Sequence, residues 1–113
     1  MAIYANIPLD QGSDFASVIN VLGPDELPLD LTGHTARGQI RKSYTSSTSV
    51  TFTCEVATPA TDGKINLSLS STQTAAMKAG RYLFDVEIVE TETGVVSRVV
   101  QGQVEVNPRV TRS

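Results

Sequence analysis

Apolar and polar residues alternate along most of the chain, and this pattern is typical of half-buried β-strands. Segments rich in Gly, Pro, Asp and Ser interrupt the alternation and predict turns. The predicted strands are Ala2–Leu9, Phe15–Leu22, Thr35–Lys42, Val50–Val56, Lys64–Ser70, Arg81–Glu90 and Val95–Val106. Pro8 marks the first of them as an edge strand or a strand end. About seven short strands separated by turns are the pattern of a β-sandwich.

The side chains on one face of each strand are expected to point into the core, because successive residues of a strand face opposite sides of the sheet. The expected inward residues are Ile3, Ala5, Ile7, Leu9, Phe15, Ile19, Val21, Val50, Phe52, Cys54, Val56, Ile65, Leu67, Leu69, Tyr82, Phe84, Val86, Ile88, Val96, Val100, Val104 and Val106. Gly102 lies on the same face as the last three valines. It predicts a β-bulge or a close approach of another strand at that point.

The period changes between Ser71 and Ala79, where Ala and Met residues favour a helix of one or two turns. Ser71 is the expected cap, and Gly80 is the expected residue after the helix. Tyr82 then stands where a tyrosine corner would be, its hydroxyl reaching upstream backbone. We therefore expect an all-β, immunoglobulin-like β-sandwich of about seven strands, with a short helical turn between the fifth and sixth strands.

The chain has 113 residues, which predicts one domain. Asn107–Ser113 is polar and interrupted by Pro108, so we expect the domain over residues 1–106 and an extended tail over 107–113. The 40% of apolar and 19% of charged residues are ordinary for a globular domain. Nine basic and twelve acidic residues give a net charge of 9 − 12 = −3 without a basic stripe, so we expect no nucleic-acid partner.

No apolar run is long enough for a membrane span, and the N-terminus lacks a signal-peptide pattern. We expect synthesis in a cytoplasm and no membrane partner.

The residues that most often carry chemistry are scarce. The single histidine, His34, lies in a predicted turn without an orienting partner, so we interpret it as an exposed loop residue. The single cysteine, Cys54, lies on an apolar strand face and is interpreted as a small core side chain. The acidic residues near the turns lack the ligand spacing of a calcium loop. We therefore expect no catalytic residue, no cofactor and no metal site.

Six segments of the sequence form a recognisable set. They are Ile7-Pro8-Leu9-Asp10-Gln11-Gly12-Ser13-Asp14-Phe15, Leu29-Asp30-Leu31-Thr32-Gly33-His34-Thr35-Ala36-Arg37-Gly38-Gln39-Ile40-Arg41, Leu67-Ser68-Leu69-Ser70, Thr74-Ala75-Ala76-Met77-Lys78-Ala79-Gly80-Arg81-Tyr82-Leu83-Phe84-Asp85, Arg98-Val99-Val100-Gln101-Gly102-Gln103-Val104-Glu105-Val106 and Val110-Thr111-Arg112. Together these segments resemble small domains of tailed-phage virion proteins. The resemblance runs from about Ile7 to Arg112 in the expected order. His34 departs from the aromatic residue usual at its place.

Such domains are immunoglobulin-like sandwiches and include the N-terminal module of baseplate upper proteins, which anchors receptor-binding proteins to the phage tail. The resemblance therefore implies a non-enzymatic structural protein of the virion, made in the host cytoplasm. Its implied partners are other virion proteins of the tail, baseplate or fibre, in a symmetric multi-copy assembly. Family domains often continue into a fibre or receptor-binding region, whereas this chain stops at Ser113. We accordingly expect a connector or accessory component.

The contacts of such a component are expected at the extended N-terminal strand, at the tail and at a basic strand. The candidate interface residues are Ile3, Tyr4, Arg37, Arg41, Arg109, Val110 and Arg112. Arg37 and Arg41 could equally belong to a charged solvent face. The alternative function is capsid decoration, or recognition of carbohydrate or protein on a host surface. Carbohydrate sites usually offer an exposed aromatic ring beside polar groups, and Tyr4 and Tyr44 are the candidates.

Overall fold

Two β-sheets enclose one hydrophobic core. A computed structural model describes residues 3–23, 25–43, 45–46 and 49–109, with the backbone alone for Ile3. The strands are β1 Ile3–Asp10, β2 Phe15–Asn20, β3 His34–Arg41, β4 Val50–Thr51, β5 Thr53–Val56, β6 Lys64–Leu69, β7 Gly80–Glu90 and β8 Val96–Asn107, with a 3₁₀ turn at Ala60–Asp62 and the helix α1 at Ser71–Ala75. The predicted all-β sandwich is confirmed, and the immunoglobulin-like assignment stays a prediction.

The five-stranded sheet has the order β1-β8-β7-β3-β4, and the three-stranded sheet has the order β2-β6-β5. β1 and β8 run parallel over the whole of β1, from the pair Ile3–Val100 to the pair Asp10–Asn107. The other strand pairs are antiparallel. β1 is an edge strand, as Pro8 predicts, because a strand of the described chain pairs with only one of its sides.

The core lies between the sheets and contains most of the predicted inward residues, together with four that are not among them: Leu31, Ile40, Met77 and Val99. Its most deeply buried aliphatic residues are Leu9, Leu31, Ile40, Ile65, Leu67, Val86 and Val104. Three phenylalanines pack across it, with ring centroids 6.3 Å apart for Phe15–Phe52 and 6.1 Å apart for Phe52–Phe84. Burial of the alternating apolar faces of both sheets is the main stabilising term of such a fold.

The predicted strand Val50–Val56 is wrong as a single element. Its first part, β4, pairs with β3 in the five-stranded sheet, whereas β5 pairs with β6 in the three-stranded sheet. The change takes place at Phe52, whose N–H donates to the carbonyl of Gly38 at 3.0 Å. Alternation continues through Phe52 because both parts face the same core, so the pattern does not reveal the change of sheet.

Val96 is 44% exposed, so its predicted inward position is wrong. The reason is a β-bulge, since Val86 pairs with Val100 and Glu87 pairs with Arg98, which leaves Val99 between them. The alternation of inward and outward side chains is therefore shifted by one residue between the parts of β8 before and after the bulge. The bulge lies before Gly102. The close approach of another strand is found at Gly102 itself, because a Cβ there would overlap the carbonyl of Ala5 on β1.

The helical turn is present but shorter than predicted. Ser70, one residue before the expected cap, accepts a hydrogen bond from the N–H of Gln73 at 3.2 Å, and the Gln73 side chain accepts one from the N–H of Ser70 at 2.9 Å. This capping box fixes the start of α1. Gly80 begins β7 and does not end the helix.

The tyrosine-corner contact predicted for Tyr82 is confirmed, since its hydroxyl donates to the carbonyl of Lys78 at 2.6 Å. That bond ties the start of β7 to the segment that leaves α1. The Lys42 ammonium group lies 4.8 Å from the centroid of the Tyr82 ring, within the range of a cation–π contact. No helix in the described part of the chain is both long and apolar enough to span a membrane.

Candidate functional site

The outer face of the five-stranded sheet carries polar side chains in rows, because neighbouring strands are in register. Tyr4 on β1 is paired with Gln101 on β8, Gln101 with Asp85 on β7, and Asp85 with Gln39 on β3. Neighbouring strands are about 4.8 Å apart, so this row runs for about 15 Å across four strands. It forms an aromatic–amide–carboxylate–amide sequence on the surface.

A groove of about 310 Å³ follows this row. It is lined by Tyr4, Gln39, Arg41, Ser43, Leu83, Phe84, Asp85, Glu87, Arg98, Gln101 and Gly102. We call it the outer-face groove. It contains two cationic and two anionic side chains, an exposed aromatic ring and two primary amides.

The charged residues of the groove are paired with one another or with neighbours. Arg98 Nε lies 3.3 Å from Asp85 Oδ2, and Arg98 Nη1 donates to Gln101 Oε1 at 3.2 Å. Arg37 Nε, beside the groove, donates to Glu87 Oε1 at 3.1 Å. The charge of Arg37, a predicted interface residue, is therefore partnered within the chain on a solvent-exposed face.

Arg41 closes the groove at the β3 end. Its Nη1 donates to the carbonyl of Ser46 at 2.7 Å, and its Nη2 donates to Gln39 Oε1 at 2.9 Å. These two bonds hold the guanidinium group in the plane of the face and direct the Gln39 amide. Of the predicted interface residues, the structure therefore brings Tyr4 and Arg41 together in one groove.

The second feature of this face is the open edge of β1. From Ile3 to Leu9 the strand contains no charged residue, and Pro8 alone interrupts its row of backbone donors. Natural edge strands are usually kept from pairing with other chains by charge, bulges or a cover. One side of the strand is paired with β8 from Ile3 to Asp10. No other described strand pairs with the opposite side of β1.

The predicted tail begins inside a strand, because β8 continues through Asn107. The N–H of Gln11 donates to the carbonyl of Asn107 at 3.0 Å, and the N–H of Arg109 donates to Gln11 Oε1 at 3.3 Å. The Arg109 side chain lies against Gly12, where a Cβ would overlap it. Arg109 is thus held on the domain. Val110 and Arg112, also predicted interface residues, lie outside the described residues, as does the side chain of Ile3.

A buried hydrogen-bond cluster lies under the same turn. Thr74 is fully buried, and its Oγ1 donates to the carbonyl of Ser13 at 2.8 Å and accepts from the N–H of Gly12 at 3.1 Å. The N–H of Ser71 donates to Asp14 Oδ1 at 2.7 Å. The sequence gives no signal for Thr74, because its partners lie about 60 residues away in the chain.

The two residues with the most reactive side chains lie apart from the groove. His34 begins β3 with its Nδ1 3.1 Å from the carbonyl oxygen of Thr32. The hydroxyl and N–H of Thr32 donate to the Asp30 carboxylate, and these bonds lower the pKa of Asp30. Burial raises the pKa of the half-buried Cys54 thiol to about 11. The interpretation of His34 as an exposed loop residue is wrong, since His34 lies in β3 and is half-buried. Cys54 packs against the core, as expected.

Two further candidates are a metal site and the Tyr44 ring. Within residues 3–23, 25–43, 45–46 and 49–109, no group of three or more His, Cys, Asp and Glu side chains could hold a metal ion. Tyr44, the second aromatic candidate for a carbohydrate platform, lies outside the described residues. Of these two tyrosines, Tyr4 is the one that the structure describes, and it is 63% exposed.

Comparison with models of protein families gives no match, and comparison with curated proteins gives none. Among solved structures, InlP of Listeria monocytogenes is similar, with a TM-score of 0.49 and 15% identity over 94% of this chain and 28% of that chain. A family 123 glycoside hydrolase from Clostridium perfringens is also similar, with a TM-score of 0.43 and 10% identity over 96% of this chain and 24% of that chain. This chain thus spans less than a third of either protein, and neither likeness supports an argument about function.

Proposed function

We propose that the chain is a non-enzymatic structural component of a tailed-phage particle. In this proposal it resides in the virion and connects proteins of the tail, baseplate or fibre through protein–protein contacts. The sequence resemblance from Ile7 to Arg112 supports this function, and the sandwich fold agrees with it. The observation that carries the proposal furthest is the open edge of β1.

An open edge is a binding surface because its unpaired N–H and C=O groups can pair with an added strand. In β1 this edge is as long as the strand itself and lacks charge from Ile3 to Leu9. A strand from a neighbouring virion protein could extend the five-stranded sheet there. If the neighbour is a second copy that contributes a surface other than its own β1 edge, the contact is heterologous and forms a ring where the rotation closes.

The test compares two identical substitutions at exposed strand asparagines. Asn6→Lys places a charge on the edge strand β1, whereas Asn66→Lys places it on β6, the middle strand of the other sheet. Each variant is supplied in trans to a producing cell that lacks the native gene. Particles are purified, and the amount of chain per particle is measured by quantitative mass spectrometry.

We expect wild type and Asn66→Lys in the particles, and about tenfold less Asn6→Lys, as a loss of about 1.4 kcal/mol per contact would give. Equal melting temperatures of the two free variants exclude a folding defect as the cause. A chain that stays out of purified particles would contradict the proposal. Antibody labelling in electron micrographs gives the position, and label over the capsid shell instead of the tail would favour the decoration alternative.

A further inference from the structure

We propose that the outer-face groove binds a neutral saccharide. This activity is separate from the assembly role, because it uses side chains on the face of the sheet and not the backbone edge of β1. Three properties of the groove support it: the balance of its charges, the arrangement of its donors and acceptors, and the exposed ring of Tyr4.

The charge balance disfavours ionic ligands. The groove holds two arginines, Arg41 and Arg98, against two carboxylates, Asp85 and Glu87, so its formal charge is 2 − 2 = 0. Arg98 pairs with Asp85 inside the groove, and Glu87 already has Arg37 as its partner. A phosphate or a sulfate would have to displace Asp85 from Arg98, or the Ser46 carbonyl and the Gln39 amide from Arg41. A polycation would have to displace the arginines from Asp85 and Glu87. A neutral ligand leaves them intact.

The existing hydrogen bonds set the direction of the free groups. Arg98 donates to the Oε1 of Gln101, and Arg41 donates to the Oε1 of Gln39. Each amide therefore turns its NH₂ group, a double donor, away from its arginine. Asp85 lies between the two amides on the same row, and its Oδ2 faces Arg98, so Oδ1 is the oxygen left to accept. A donor–acceptor–donor row suits adjacent hydroxyl groups, each of which both donates and accepts.

The apolar part of the groove lining includes Tyr4 on β1 and Leu83 on β7. Tyr4 is 63% exposed, and Leu83 is half-buried in the groove lining. An aromatic ring with a polar tip offers an apolar surface and a hydrogen-bonding group together. A pyranose ring has the matching character, since one of its faces presents C–H groups while hydroxyl groups project around its rim.

The size of the groove limits the ligand. Its volume of about 310 Å³ is at the lower end of the range of roughly 300–1,000 Å³ for small-molecule sites. It therefore accommodates one or two sugar units of a longer chain. An open site of this size predicts a Kd on the order of 0.1–1 mM for a single copy. Several copies in one particle would raise the apparent affinity through multivalency.

The experiment uses the purified full chain on an array of immobilised glycans. The array holds neutral oligosaccharides of hexoses, N-acetylhexosamines and deoxyhexoses, together with sialylated and sulfated forms. The neutral glycan with the strongest signal is then titrated into the ¹⁵N-labelled chain and followed by NMR. We expect binding to neutral glycans, with chemical-shift changes at the backbone amides of Asp85 and Gln101.

Four variants separate the groove from the rest of the molecule. Tyr4→Ala and Gln101→Ala should each weaken binding by about tenfold, whereas Tyr4→Phe, which keeps the ring, should bind within about threefold of wild type. Val18→Ala is the control, because Val18 is 53% exposed on β2 in the other sheet. Melting curves of all four variants confirm that they are folded.

Several outcomes would overturn the saccharide proposal. The first two concern the ligand: no neutral glycan binds in either assay, or only sialylated or sulfated glycans bind. The other two concern the site: the NMR chemical-shift changes map outside the groove, or Tyr4→Ala and Gln101→Ala bind glycan as strongly as wild type. Normal incorporation of Gln101→Ala into particles together with lost glycan binding would show that the two proposed roles are separate. A negative result in the particle experiment would contradict the assembly role and would leave the conclusion about glycan binding unchanged.

Discussion

At the scale of single residues, Thr74 joins two parts of the chain that the strand pairing does not connect. Its hydroxyl both donates to Ser13 and accepts from Gly12, so it links α1 to the turn after β1. The residue is fully buried, and water cannot replace these bonds without opening the site. A buried group left without its partner costs more than a normal hydrogen bond contributes.

Replacing Thr74 by Val should therefore lower the free energy of unfolding by about 1–3 kcal/mol, since the shape is kept and two backbone groups lose their partner. Thr72→Val is the matched control, because Thr72 is exposed on the same helix and the β-branched side chain is conserved. Chemical denaturation of both variants measures the difference. Equal stability of the two variants would show that the Thr74 hydroxyl bonds are not stabilising.

Cys54 allows a prediction about pH. Its thiol pKa is raised from 9.0 to about 11 by burial, so the reactive thiolate is scarce at pH 8. Alkylation by iodoacetamide at pH 8 should be about a hundredfold slower in the native chain than in guanidinium chloride, as two pH units imply. Raising the pH towards 11 should narrow this difference. A native rate that already matches the denatured rate at pH 8 would contradict this account.

How much a sequence predicts for one residue depends on how far away its partner lies. The Tyr82 contact could be predicted because the hydroxyl reaches backbone only four residues upstream. Thr74 could not, because a threonine in a short helical segment looks the same whether its partner is solvent or a turn about 60 residues away. The same applies to Gln101, whose role in the outer-face groove depends on its register with Tyr4 and Asp85.

At the scale of elements, alternation determines which face a residue occupies but not which strand it pairs with. β4 and β5 keep one alternating pattern although they belong to different sheets. β1 gives no sign in its own sequence that its partner is β8 or that the pair is parallel. The bulge at Val99 shifts the phase by one residue, and a run of valines on both sides conceals the shift.

Gly102 is the element-scale position most sensitive to substitution. A Cβ there would overlap the carbonyl of Ala5, so Gly102→Ala should push β1 away from β8 and lower the melting temperature by more than about 10 °C. Gly94→Ala is the control, because Gly94 also has a positive φ but has open space around it. Hydrogen exchange should show β1 amides losing protection only in the first variant. Full protection of β1 in Gly102→Ala would contradict the close approach.

At the scale of the whole molecule, the C-terminal ends of β1 and β8 meet at one corner of the sandwich. Asn107 and Arg109 bond to Gln11, so the segment after β8 helps to hold the turn after β1. A domain boundary placed at residue 106, because the residues after it are polar and include Pro108, misses this contact. Alternation reports burial within strands, whereas these bonds involve backbone and a polar side chain at the end of a strand.

Two truncated chains test this corner, both lacking residues 110–113. One ends at Arg109 and the other at Val106, so their difference reports residues 107–109 alone. The shorter chain should melt about 8 °C below the longer one, because it loses two hydrogen bonds of about 1 kcal/mol each. Identical melting curves would show that these bonds contribute nothing to stability.

The parallel pairing of β1 with β8 also determines how the domain would respond to a mechanical load. Ile3 and Asn107 lie at opposite ends of the pair, so tension on the two termini acts along the strands. The eight registered pairs from Ile3–Val100 to Asp10–Asn107 are then sheared together, and none can open ahead of the others. Single-molecule pulling through the termini should thus require a higher force than pulling β7 from β8 through their connecting turn. A connector that carries tension along a tail would benefit from this geometry.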